Sequence, residues 1–214
     1  MTSKRNKFLS GFTIIELAIV LMVIGIITGA IFKGQDLLEA AKIRAVLNDF
    51  NRIKIAVTHY QETFGSLPGD DSHASNHFGS SIANGNGNGL IEPPEELIFW
   101  QHLYKAGLLN SEKPPTSKLG GRYSIVHNPS DKLFGHWIQL GKDSGTTANG
   151  GLLTPKQALM LKSKADGNSS ISQVLEGSIK VVEGAGISKG QCVQGDQLNL
   201  AVDAPVCIVL TSLE

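Results

Sequence analysis

The sequence predicts an α+β protein: a long N-terminal helix, transmembrane in its first half and amphipathic in its second, packed on a small, mostly antiparallel β-sheet head. Three observations predict this. Residues 12–32 form an apolar run, and the stretch after it repeats apolar residues at three- and four-residue steps. No proline interrupts either part before Pro68. Beyond residue 120, short runs rich in β-branched and aromatic residues alternate with turn formers, the pattern of short strands.

The elements follow in order. At about 1.5 Å per residue, the apolar run spans about 31 Å, close to the hydrocarbon thickness of a bilayer. Ile43, Val46, Leu47, Phe50, Ile53, Val57, Tyr60 and Phe64 then make one apolar stripe, with Lys42, Arg44, Asp49, Arg52, Lys54 and Glu62 largely off it. His59 belongs to the polar side. A continuous helix over residues 12–63 would be about 78 Å long. Pro68-Gly69 suits the centre of a type II turn. Residues 70–92, rich in Gly, Ser and Asn, read as a loop, and residues 94–105 as a short helix closed by Gly107. Strands are expected at 122–126, 136–140, 178–182, 198–202 and 207–210. Thr154 and Gln157 open a further helix as a capping box. Phe99, Trp100, Tyr104 and Trp137 are assigned to the core.

Formal charge is balanced, with 19 basic and 19 acidic residues. Three of the basic ones, Lys4, Arg5 and Lys7, precede the apolar run, which leaves 16 against 19 acidic after residue 11. That is no charge pattern for a nucleic-acid partner. The basic cluster keeps the N-terminus in the cytoplasm and sends everything after Lys33 across the membrane. Cys192 and Cys207 lie in the translocated part, where an oxidising compartment permits a disulfide worth about 3 kcal/mol; two buried free thiols are the alternative.

The anomaly is Glu16, a carboxylate inside the apolar run. An ordinary signal peptide ending near Thr28–Ala30, or a plain anchor, leaves it unexplained, since an ionised group deep in a bilayer costs about 2.5–3.5 kcal/mol. A cut between Gly11 and Phe12 would create an α-amino group four residues before Glu16, able to pair with the carboxylate of a neighbouring subunit and fix register. The segment KRNKFLSGFTIIELAIVLMVIGIITGA resembles the N-terminal signature of the type IV pilin and type II secretion pseudopilin superfamily: a basic leader, Gly, Phe, Thr, two apolar residues, Glu, then an apolar helix. The resemblance implies cleavage after Gly11 by a prepilin peptidase, N-methylation of Phe12, and a docking role in the filament for Glu16. Its domain plan is a leader at 1–11, a transmembrane or filament-core helix at 12–32, an amphipathic continuation at 33–66 and a head at 67–214. Many major subunits of the family carry a proline where this chain has Lys33, which favours a minor subunit.

Other motifs bear on possible chemistry. Residues 84–95 fit a twelve-residue calcium loop apart from the first place, where Asn84 stands for Asp, with Asn86 and Asn88 at the third and fifth, Gly89 at the sixth, and Leu90 offering its carbonyl at the seventh. Glu92 and Glu95 take the ninth and twelfth. Only two of these side chains are charged, so binding is weak unless Asp70 or Asp71 joins; a plain Asn-Gly turn region is the alternative. His73 and His77 stand four apart but without a third zinc ligand or a helix to align them. Ser144 in KDSG lacks a nucleophile elbow and a linked base, and no glycine loop has the context of a phosphate site.

Taken together, these readings lead to a non-enzymatic structural subunit of a pilus or secretion pseudopilus. It would sit as a single-pass inner-membrane precursor with a periplasmic head, and then enter the filament. The implied partners are the prepilin peptidase, an assembly platform and sibling subunits. The alternative is a membrane-anchored periplasmic binding module that never polymerises.

Overall fold

The computed structural model describes residues 11–145, 147–167 and 173–213. The expected leader therefore lies, but for Gly11, outside the described residues. The chain divides into two compact units, Met1–Ala41 and Lys42–Glu214. Helix α1, Ile14–Phe64, begins in the first and ends in the second.

In the first unit every described residue up to Leu38 is exposed. An 18-residue window there has mean hydropathy 2.7 and none of it is buried, so by length and composition this segment can cross a membrane. Thr28, a hydroxyl in the midst of it, donates to the Ile24 carbonyl at 2.8 Å and so carries no orphan donor into an apolar surround.

In the second unit α1 turns amphipathic as the spacing predicts. Ile43, Val46, Phe50, Ile53, Val57 and Tyr60 are all buried, while Arg44, Arg52, His59 and Glu62 face solvent. The compact unit thus takes in residues 42–66 as well as the expected head.

The buried stripe packs on a four-stranded antiparallel sheet. Its strands are β1 (Arg122–His127), β2 (His136–Gly141), β3 (Ile179–Glu183) and β6 (Cys207–Ser212), in the order β1-β2-β6-β3. The C-terminal strand β6 is therefore central, with Val209 facing Leu140 of β2 on one side and Val181 of β3 on the other. Alternation sorts the side chains onto two faces. Tyr123, Ile125, Ile138, Leu140, Ile179, Val181, Cys207 and Val209 share one core with the α1 stripe. Trp137, Ile208 and Leu210 form a smaller second core with Leu133 on the other face. Contact between α1 and β1 is specific: Phe50 meets Tyr123 edge-on at 5.4 Å, and the Tyr123 hydroxyl donates to Asp49.

Among the described residues, three helices and a hairpin complete the head. They are α2 (Ala74–Phe78), α3 (Glu95–Lys105), α4 (Pro155–Asp166), and β4 (Val193–Gln194) with β5 (Gln197–Leu198). Thr154 caps α4 reciprocally with Gln157, as its sequence predicts. Cys192 and Cys207 form the disulfide, with Cα atoms 5.2 Å apart, tying the hairpin to the start of β6.

Three expectations change. The strand expected at 198–202 shrinks to Gln197–Leu198, because the Asn199 side chain accepts the Ala201 N–H and its carbonyl the Val202 N–H, which bends the chain. Tyr104 is exposed, because α3 buries Glu95, Phe99, Trp100, His102 and Leu103, and Tyr104 lies off that face. The segment around His73 and His77 does contain a short helix, α2.

Candidate functional site

Two places hold the residues singled out from sequence. The first is the start of α1. Gly11 and Phe12 precede the helix, outside regular secondary structure, and both are exposed. Thr13 is the residue before the first helical one. Its N–H and its hydroxyl both donate to Glu16 Oε2 at 2.8 Å, while the Glu16 N–H donates back to Thr13 Oγ1 at 3.3 Å. Thr13-Ile-Ile-Glu16 is thus a capping box, the reciprocal bonding that satisfies donors a helix start leaves open. The signal T-x-x-E is present in the sequence. It gives Glu16 a partner within its own chain, beside the intersubunit one expected.

The second place is the turn after α1. Asp70 N–H donates to the Leu67 carbonyl at 3.1 Å and Gly69 has φ +91°, which makes Leu67–Asp70 the type II turn foreseen at Pro68-Gly69. The turn delivers two successive carboxylates inward, Asp70 at 4% exposure and Asp71 at 1%. Each buried charge has donors, as it must. Asp70 Oδ1 accepts from Gly87 N (2.8 Å) and Asn88 N (3.0 Å), and Oδ2 accepts from Gly89 N (2.8 Å). Asp71 accepts the Tyr60 hydroxyl and the His73 N–H, both at 2.8 Å. Burial, and then Asp71, push the Tyr60 phenol well above its usual range.

Buried His102 locks the same turn. Its Nδ1 accepts the Gly69 N–H at 3.0 Å, and its Nε2 lies 2.8 Å from the Ala83 carbonyl. Those partners select the neutral tautomer with the proton on Nε2. Burial lowers its pKa against the opposing pull of Ala83, Asp71 and Glu95. On the far side of the loop, His136 of β2 accepts the Ile91 N–H at 3.0 Å. Gly85 packs so tightly that an added Cβ would overlap the Gly69 carbonyl and the Asp70 backbone.

The calcium-loop residues fall in this loop, and the side-chain oxygens of Asn84, Asn86, Asn88 and Glu95 accept peptide N–H groups. Asn84 Oδ1 accepts from Ser75, Asn86 Oδ1 from Asn88, and Asn88 Oδ1 from Leu90. Glu95 accepts from Asn86 and Glu92 N–H; Glu92 itself is exposed. Among the described residues no three His, Cys, Asp or Glu gather as a metal set. His77 approaches Asp71 at 3.9 Å and packs on Phe64, and the His73 ring bonds Ser72. Ser144 donates to the Thr147 carbonyl and to Asn149, and Asp143 pairs with Arg122 at 3.0 Å. The roles of Thr13, His102 and His136 emerge only with the fold, and of the three only Thr13 sits in a readable motif.

The fold and these two places define an α+β protein whose apolar first segment is capped by its own Thr13–Glu16 pair and whose head is built round a buried acidic turn. Compared with known proteins, the sequence matches no family model and no curated protein. Among solved structures it is similar to the major Type IV pilin PilA1 from Clostridium difficile, at 17% identity over 82% of this chain and 96% of that one, with a TM-score of 0.41.

Proposed function

We propose that this protein is a structural, non-catalytic subunit of a type IV pilus or type II secretion pseudopilus. A prepilin peptidase cuts between Gly11 and Phe12 and methylates Phe12. The precursor waits in the inner membrane with its head in the periplasm, and an assembly platform then draws it into a filament with sibling subunits. The observation that carries the reading is the motif G-F-T-I-I-E at the head of an apolar helix whose described side chains are exposed as far as Leu38. Such a surface must be covered, by lipid before assembly and by neighbouring helices after it. Calcium at residues 84–95 forms no part of the proposal, because the Asn84, Asn86, Asn88 and Glu95 oxygens already accept peptide N–H groups.

The test is mass spectrometry of the chain purified from its own membrane or filament fraction. The expected N-terminus is methylated Phe12. A chain beginning at Met1, or at Ile31 as an ordinary signal peptidase would leave it, refutes the proposal.

A further inference from the structure

Three Asn-Gly pairs follow one another at 84–85, 86–87 and 88–89. Asn-Gly is the dipeptide most prone to spontaneous deamidation, because the glycine nitrogen meets no Cβ on its way to the Asn side chain. The nitrogen loses its proton and attacks Cγ. The new C–N bond closes a succinimide, and the side-chain nitrogen leaves as ammonia. Water then opens the ring to aspartate or isoaspartate. The attack requires a glycine nitrogen free of its acceptor and an Asn amide free to rotate onto it.

The Asp70 turn denies the first, and the loop's own N–H groups deny the second. Gly89 N–H is held by Asp70 Oδ2 alone, at 2.8 Å. Gly87 N–H is held twice, by Asp70 Oδ1 at 2.8 Å and by the Asp70 carbonyl at 3.1 Å. Gly85 N–H is held by the Asp71 carbonyl at 2.8 Å. The three Asn side chains are fixed as well, each by an N–H bonded to its Oδ1 at 2.7–2.8 Å. All three Asn residues are exposed, so water for ring opening is at hand.

We propose that residues 84–89 are a deamidation site and that the buried Asp70 carboxylate is the positioning residue that locks it. This does not depend on the function proposed above. When the lock opens, each conversion adds a carboxylate beside Asp70, Asp71 and Glu95, and like-charge repulsion then favours further opening. The loop ages in one direction.

The geometry ranks the sites. Without the Asp70 side chain, the Asn88 pair loses its sole glycine acceptor, the Asn86 pair keeps a backbone acceptor, and the Asn84 pair keeps its own unchanged. A fourth pair, Asn149-Gly150, is held by the Lys142 carbonyl at 3.0 Å and serves as an internal control.

The test incubates the full chain in mildly alkaline buffer and maps isoaspartate at all four pairs, for the parent, Asp70→Ala and Asp70→Asn. In Asp70→Ala the Asn88 pair should convert about tenfold faster or more, the factor for losing one charge-assisted bond. Asn86 should follow, Asn84 should change least and Asn149 should not change. In the near-isosteric Asp70→Asn, which keeps one carbonyl oxygen and puts an NH2 in place of the other, acceleration should be confined to one side of the lock. A uniform rise at all four pairs in both variants overturns the proposal, because the effect is then global loosening. No rise in either variant, or slower conversion in Asp70→Ala with the carboxylate acting as base, overturns it too.

Discussion

Lys162 of α4 has a fully buried side chain and is held by three acceptors. It donates to Asp166 Oδ2 at 3.1 Å, to the Ile179 carbonyl at 3.0 Å and to the Glu176 carbonyl. Asp166, 4% exposed, also accepts from Ser178 N at 2.7 Å and from the Ser178 hydroxyl. The pair thus fastens the end of α4 to the entry of β3. In Asp166→Ala the ammonium stays buried without its counter-charge and Ser178 N–H loses its acceptor, which should cost about 3–5 kcal/mol. Lys162→Met removes the charge but fills the space, so a smaller loss of about 1–3 kcal/mol is expected. With a urea slope of about 2 kcal/mol per molar, Asp166→Ala should lower the midpoint by about 2 M. The assay is urea unfolding of the full chain in detergent, followed by tryptophan fluorescence, for both single variants and the double variant. The double variant should lose less than the sum of the singles. Additive losses, or a cost below about 1 kcal/mol for Asp166→Ala, would refute the argument that the two charges are a buried unit. Acid offers a second reading of the pair. Burial raises the Asp166 pKa, but the Ser178 bonds and Lys162 outweigh it, so the folded value is lowered. The pair's contribution is then full above the unfolded carboxyl range near about 4 and is lost as pH falls through the folded value.

Two further outcomes are expected. His102 has a folded pKa below its unfolded value, so its contribution is present above about pH 6.5 and declines as pH falls below that. His102→Gln should flatten a plot of unfolding midpoint against pH between about 6.5 and 5, and an unchanged slope would show that another group titrates there. Reducing Cys192–Cys207, or replacing both residues by Ser, should lower stability by about 3 kcal/mol. Calorimetry under oxidising and reducing conditions measures it, and equal transition temperatures would contradict it.

The long helix was legible because two periodic signals met without a proline between them. Ile43, Val46, Phe50, Ile53, Val57 and Tyr60 step by three and four, and every one is buried. The turn at Pro68-Gly69 and the cap at Thr154 were legible because each is local chemistry. Tyr104 was misjudged because membership of an element says nothing about which face a residue takes. Asn199 was misjudged because a side chain that bonds its own backbone outcompetes a ladder only two residues long. At the candidate sites, the Thr13–Glu16 cap follows a local T-x-x-E signal. The Asp70 lock follows none, since it joins the carboxylate to N–H groups 17–19 residues away, and His102 reaches Gly69 across 33. Closures of that length depend on the tertiary path of the chain, which leaves no periodic trace.

The bonds that begin α1 are made by Thr13, Glu16 and Leu17 among themselves. Among the described residues, this first turn is closed from Thr13 onward. Severing the chain at Gly11 would therefore remove none of these bonds, and the helix start would read the same before and after the cut. If the proposed peptidase acts there, it changes the charge at the tip and leaves the Thr13–Glu16 bonds as they stand.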